Sequence, residues 1–172
     1  MSFEVAGDKY DRYVGRYSRE IAPRFAAFAE IEAGPVLDVG CGPGGLTAAL
    51  AARFGAANVA AVDPSEAFAA ACRARVPGAD VRRASGEALP FDDDAFGAAL
   101  SQLVLTFVRD PDRMAAEMKR VVRPGGAVAA CTFEANGVAM LRGFWAAALR
   151  FDPGAPDEAR MPFRTMPELR GL

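Results

Sequence analysis

Short β-prone runs alternate with helix-prone stretches along this chain, and that alternation constrains the fold more than any other feature. The runs are Val36–Val39, Val59–Val62, Asp80–Arg82, Ala98–Gln102 and Ala127–Phe133. Between them, Leu46–Phe54, Ser65–Arg75 and Asp112–Val122 carry apolar residues at helical spacing. Strands joined to helices by short links predict βαβ units. The expected fold is therefore α/β: a doubly wound, Rossmann-like, mainly parallel sheet with helices on both faces. The link from Arg82 to Ala98 breaks the pattern, because Pro90 and the acidic run Asp92–Asp94 predict a loop with room for one helical turn. Asp110-Pro111 offers a capping carboxylate ahead of a proline at the first helical position, and Ser65 can cap the helix after Asp63-Pro64. Arg123-Pro124-Gly125-Gly126 stops the preceding helix and turns into the next strand. Tyr17–Ile31 has Ile21, Phe25, Phe28 and Ile31 on one helical face, for packing on the sheet edge or over a site.

Composition removes several chemistries. The chain has no histidine, so a Ser-His-Asp or Cys-His hydrolase is excluded for want of its base. Cys41, Cys72 and Cys131 are widely spaced and form no CxxC pair, so neither a metal site nor a disulfide is expected. Cys72 and Cys131 read as small buried hydrophobes. The 20 Lys+Arg are offset by 22 Asp+Glu, a balance that points away from nucleic acid. No apolar stretch is long enough to span a bilayer, and Met1–Tyr10 lacks the apolar core of a signal peptide. A cytoplasmic protein is expected.

The most informative segment is Val36-Leu37-Asp38-Val39-Gly40-Cys41-Gly42-Pro43-Gly44-Gly45, an apolar strand running through a glycine cluster into a helix. Such a turn brings backbone N–H groups and the positive end of a helix close to a ligand. Gly40, Gly42 and Gly45 satisfy the dinucleotide pattern GxGxxG, whereas Asp38 with Gly40, Gly42 and Gly44 satisfies DxGxGxG. A carboxylate at the mouth of the turn would repel a pyrophosphate and welcome a ligand bearing ammonium or sulfonium. Asp63 ends the second strand, placed to accept hydrogen bonds from a ribose diol or to cap the next helix. Asp38 thus favours a cationic ligand over a pyrophosphate, unless it merely bonds loop amides, and Asp63 points to an adenosine-like ligand without saying which.

Four blocks then resemble the class I S-adenosylmethionine-dependent methyltransferases of the ubiquinone and menaquinone methyltransferase type. They are VLDVGCGPGGLT at 36–47, VAAVDPSEAF at 59–68, ASGEALPFDDDAF at 84–96 and VVRPGG at 121–126. The opening DKYDRYVGRYSR at 8–19 is similar to the N-terminal cap of that group. The resemblance implies a single domain over 1–172, with cap helices in 1–33, the cofactor core in 34–133 and a partial substrate region in 134–172. It implies S-adenosyl-L-methionine as cofactor, S-adenosyl-L-homocysteine as product and a small-molecule methyl acceptor reached by in-line displacement. Asp38 and the backbone of Gly40, Gly42 and Gly44 would hold the methionine end. Asp63 would bind the ribose, Pro64 would lie against the adenine, and Ser85 with Gly86 would meet the adenine edge. Ser101 and Gln102 would line the methyl-transfer side, and no metal is implied.

Departures from the family pattern keep other readings open. Ser85 stands where the family often has Asp, Gly97 follows Phe96 where Asp is common, and Thr106 replaces a frequent His. The departures at Ser85 and Thr106, with the shortened C-terminus, fit a cofactor-binding protein without turnover. The GxGxxG overlap alone supports a nicotinamide-dependent oxidoreductase. Tyr10, Tyr13 and Tyr17 cluster in the cap, to shield a sulfonium or to staple the cap to the body. The family sheet holds seven strands, the last two an antiparallel hairpin. Here a helix over Val138–Arg150 and a Pro-rich tail follow the fifth strand, so that hairpin, about 40–60 residues with its helix and loops, is expected to be missing. The fifth strand would then be an open edge, covered by the tail or paired with another copy of the chain.

Overall fold

β1 (Val36–Val39), β2 (Val59–Asp63), β3 (Asp80–Arg83), β4 (Phe96–Gln102) and β5 (Val122–Cys131) form one sheet in the order β3-β2-β1-β4-β5. Every neighbouring pair is parallel, as the alternation predicts. The computed structural model describes residues 15–32, 34–134, 139–154, 162–163 and 165–172. Its helices are α1 (Arg16–Phe28), α2 (Gly45–Phe54), α3 (Glu66–Arg75), α4 (Pro111–Val121), α5 (Ala139–Phe151) and α6 (Met166–Arg170).

Side-chain alternation along the strands splits the core in two. Leu37, Val39, Ala60, Val62 and Ala99 face Met114, Met118 and Val121 of α4. Val36, Val59, Ala98 and Leu100 face the opposite way, onto Leu46 and Leu50 of α2 and Ala22, Phe25 and Ala26 of α1. The same period of two puts Asp38 on the side of Val36, beneath α2. Ser65 caps α3 by accepting the Phe68 N–H at 3.4 Å, and Asp110 caps α4 by accepting the Arg113 N–H at 2.9 Å.

Two expectations are corrected. Phe28 is 79% exposed, and the buried stripe of α1 is Ala22, Phe25 and Ala26. Phe28 and Ile21 lie on the flank of that stripe, because 100° per residue turns them away from its centre. Second, β5 begins at Val122 and ends at Cys131, where Ala127–Phe133 was expected. Val122 is already extended and pairs with Phe96, and the register shift between Phe96 and Ala98 absorbs Arg123–Gly126 as an irregularity within the strand. A Cβ on Gly126 would stand 2.5 Å from the Gly97 carbonyl oxygen, so glycine lets the two backbones meet there. The link between β3 and β4 is a loop, as expected, with one turn closed by the Ala88 N–H donating to the Ser85 carbonyl at 3.1 Å.

Cys72 is buried, while Cys131 is only half-buried in the edge strand. Phe163 and Leu169 from the C-terminal segment pack against the α4 side of the core. β5 remains the last strand of the sheet among the described residues, and Val128 on it is 46% exposed. Tyr10, Tyr13 and residue 138 lie outside the described residues. None of the described helices is long and apolar enough to cross a membrane.

Gly44 fixes how closely α2 and α3 approach. Its φ is +87°, and a Cβ there would meet the Cys72 Sγ at 2.9 Å and Cα at 3.2 Å. Gly44→Ala adds a left-handed penalty to a clash with the backbone of α3. It should cost about 1–3 kcal/mol in urea melts at an unchanged slope. Gly42→Ala, whose φ is +51° with nothing within 4 Å of the new methyl, should cost only about 1 kcal/mol. Equal losses for the two variants would refute the close-packing role of Gly44.

Candidate functional site

The strand order reverses direction at β1, whose neighbours β2 and β4 lead to opposite halves of the sheet. A crevice opens outside the carboxyl ends of strands at such a point. The glycine turn fills its floor. The N–H groups of Gly40 and Cys41 both donate to the Val62 carbonyl, at 2.8 and 2.9 Å, which ties the turn to the end of β2. Gly40 packs beneath Val104, whose methyl carbon would lie 2.5 Å from a Cβ. Gly42 differs from both other glycines: its side-chain direction is open, and its N–H donates to Asp63 Oδ2 at 2.9 Å. Gly42 is therefore the glycine of the turn that faces open space, while Gly40 packs against Val104 and Gly44 against Cys72.

Two carboxylates lie under this turn. Asp38 is 1% exposed and accepts the Thr47 hydroxyl at 2.6 Å. Burial pushes its pKa up to about 7; the Thr47 hydrogen bond opposes the rise, and the nearby Asp63 charge adds to it. Cys72 donates in turn to the Thr47 oxygen at 3.3 Å, so a thiol, a hydroxyl and a carboxylate form one buried chain. Asp63 Oδ1 accepts the Ser65 N–H at 2.9 Å. Burial raises its pKa, and the N–H groups of Ser65 and Gly42 restrain the rise. Each Asp63 oxygen thus holds one N–H and keeps a lone pair for a further donor.

Asp38, Gly40, Gly42 and Gln102 line a single cleft, joined by Gly15 and Ser18 from the start of α1. Gln102 Nε2 donates to both the carbonyl and the hydroxyl oxygen of Ser18, at 3.0 and 2.7 Å. Its Oε1 is buried without a hydrogen-bond partner. Ser101 does not line this cleft: it is fully buried and its hydroxyl donates to the Val39 carbonyl at 2.9 Å, clamping β4 to β1. Gly44 is likewise outside the lining.

The remaining expected residues follow the ends of β2 and β3. The Ala84 N–H donates to the Asp63 carbonyl at 3.1 Å, which sets the 84–86 loop beside Asp63. Ser85 Oγ accepts the Glu87 N–H at 3.2 Å and shapes that loop. Gly86 presses on Val39 and Met114, where a Cβ would come within 2.9 Å of a Val39 methyl. Pro64 is exposed on the rim, and Thr106 is buried in a short 3-10 turn. Sequence reasoning singled out neither Thr47 nor Ser18. Thr47 had a signal, the one polar side chain before Arg53 in the apolar run of α2, and Ser18 falls one turn before Ala22 on the buried stripe of α1.

The donor set suits S-adenosylmethionine. An open glycine backbone, a carboxylate with free lone pairs at the end of β2 and a buried orphan acceptor match a nucleoside carrying an amino-acid end. The chain matches a family model described as "Methyltransferase domain" over residues 37–130. It is 36% identical over 151 residues to a malonyl-[acyl-carrier protein] O-methyltransferase of Halorhodospira halophila, an alignment covering 84% of this chain and 51% of that protein. It is 36% identical over 119 residues to a demethylmenaquinone methyltransferase of Clavibacter sepedonicus, covering 67% of this chain and 48% of that protein. The chain thus spans about half the length of these curated relatives. A crystal structure of a SAM-dependent methyltransferase from Thermotoga maritima superposes with a TM-score of 0.63 at 25% identity, covering 94% of this chain and 76% of that one. The chain belongs to the class I S-adenosylmethionine-dependent methyltransferase family.

Proposed function

We propose that this chain binds S-adenosylmethionine at the carboxyl ends of β1, β2 and β4 and transfers its methyl group to a small-molecule acceptor. One observation carries the reading: buried Asp38 and Asp63 bracket the single glycine of the turn that faces open space. That pairing suits a cationic adenosyl ligand and opposes a pyrophosphate. The cofactor core proposed here is 34–133, with 1–33 as the cap and 134–172 lying after β5.

The bound cofactor supplies an activated methyl on a neutral leaving group, so the protein's work is positioning and exclusion of water. Asp38, with the backbone of Gly40 and Gly42, holds the amino-acid end, and Gly44 maintains the turn that presents it. Asp63 takes the ribose hydroxyls on its free lone pairs. Pro64 covers one adenine face, and Ser85 with Gly86 meets the adenine edge. Gln102 faces the methyl-transfer side directly; Ser101 supports it from beneath by clamping β4 to β1. The exposed edge of β5 is the surface proposed for pairing with a second chain, and a concentration-independent monomer in sedimentation velocity would count against it.

Turnover is tested by incubating the chain with S-adenosylmethionine and a metabolite extract and following formation of S-adenosylhomocysteine. Binding is tested by calorimetry. Asp63→Ala should weaken S-adenosylhomocysteine by about 10–100-fold, because charged hydrogen bonds are lost. The loss should vanish against a 2′,3′-dideoxy analogue. A loss of equal size for both ligands would mean that Asp63 acts only by holding Gly42 and Ser65.

Asp38 makes stability depend on pH. Its folded pKa of about 7 lies above the ordinary carboxylate value, so the folded chain keeps a proton that the unfolded chain releases. The stability this contributes is whole below pH of about 4 and is lost as pH rises to about 7. Urea melts should show the decline across that window, and Asp38→Asn should flatten it. An identical decline in the variant would exclude Asp38 as its source.

A further inference from the structure

The amide of Gln102 is held in a way that the sheet does not require. Gln102 is 7% exposed, and both of its N–H hydrogens go to one residue, Ser18 of α1. One of those acceptors is the Ser18 carbonyl, which cannot donate. Turning the amide over would set two acceptors against each other at 3.0 Å, so Ser18 dictates that Nε2 faces α1. Oε1 is thereby committed to the other side. It is buried without a partner in the residue that lines the cleft beside Asp38 and Gly42. A buried amide oxygen left unpaired is costly, and native structures retain few of them.

We propose that Ser18 is a positioning residue that orients the Gln102 amide so that Oε1 accepts an N–H from the ammonium group at the ligand's amino-acid end. The pair joins α1 to the end of β4 across 84 residues of sequence, and it makes recognition of the amino-acid end depend on α1 being seated. Two further hydrogen bonds support that seating. Arg53 of α2 donates to the carbonyls of Ala26 and Ile31, at 2.8 and 2.9 Å, and so anchors the far end of the same helix. Specificity for a ligand with an α-amino group, as against a bare nucleoside thioether, then resides in a contact between the cap and the sheet.

This proposal rests on the cleft being an S-adenosylmethionine site, and the test separates the two. Calorimetry compares S-adenosylhomocysteine with 5′-methylthioadenosine, which keeps the adenosine and thioether and lacks the amino-acid end. Gln102→Met preserves side-chain volume and removes the acceptor. It should weaken S-adenosylhomocysteine by about 10–100-fold and leave 5′-methylthioadenosine within about twofold. Ser18→Ala keeps the backbone acceptor and loses the hydroxyl, so a selective loss of about 3–10-fold is expected. Circular dichroism melts check folding, and if Gln102→Met does not fold, Ser18→Ala decides alone. Equal losses for both ligands, or none for either, would overturn the proposal and show that the pair only fastens α1 to β4. Failure of the unaltered chain to bind either ligand would overturn the cofactor reading itself.

Discussion

A carboxylate sealed inside an apolar sheet is the constraint around which this molecule is arranged. Asp38 sits on the central strand with 1% exposure, where an ionised group is expensive unless it is paired or hydrogen-bonded. The fold answers with a short bond from Thr47 and, behind it, the Cys72 thiol. Thr47 reaches Asp38 only because α2 starts immediately after the glycine turn, and Cys72 reaches Thr47 only because Gly44 has no side chain between α2 and α3. The compensation is incomplete, and the carboxyl pKa near 7 records the remainder. A cationic ligand group brought alongside would complete it. Under the proposed cofactor reading, the carboxylate that burial disfavours is the one a cationic ligand group would stabilise.

Parallel topology explains why the other polar groups gather near Asp38. In a sheet ordered β3-β2-β1-β4-β5, the carboxyl ends of β2, β1 and β4 lie side by side. Asp63, the glycine turn and Gln102 are the residues at those three ends. The Val62 carbonyl holds two N–H groups of the turn, and Asp63 holds a third, so the turn is fixed by β2 as firmly as by its own strand. Ser101 fixes the opposite side through the Val39 carbonyl. The floor of the crevice is thus tied to both neighbouring strands, and the start of α1 forms one wall.

Local pattern made the sheet and the turn legible in the sequence. β1 has the expected bounds, and α2, α3 and α4 lie within a residue of theirs, because a glycine turn, a serine cap and an Asp-Pro cap mark their starts. What remained hidden depends on partners distant in the chain. Phe28 and Phe25 are equivalent in a hydrophobic count and differ only in where α2 lies. The start of β5 depended on the close approach of Gly126 to Gly97, which no local rule signals. The carboxylates and glycines of the site were readable from spacing, whereas the Ser18–Gln102 pair was not, since neither residue type announces a partner on another element.

The proposed discrimination at the site rests on how α1 is seated. Its buried stripe of Ala22, Phe25 and Ala26 binds it to α2 and the sheet by apolar contact, which fixes position but carries little chemical information. Ser18 lies on that stripe one turn earlier, where a hydroxyl replaces an apolar side chain at the mouth of the cleft. A helix seated by hydrophobic contact therefore delivers a polar residue at a set distance from β4. Small packing residues at positions 22 and 26 allow that approach, and Arg53 holds the other end against withdrawal. A fold of this kind can exchange the chemistry presented by its cap without rebuilding the sheet beneath it.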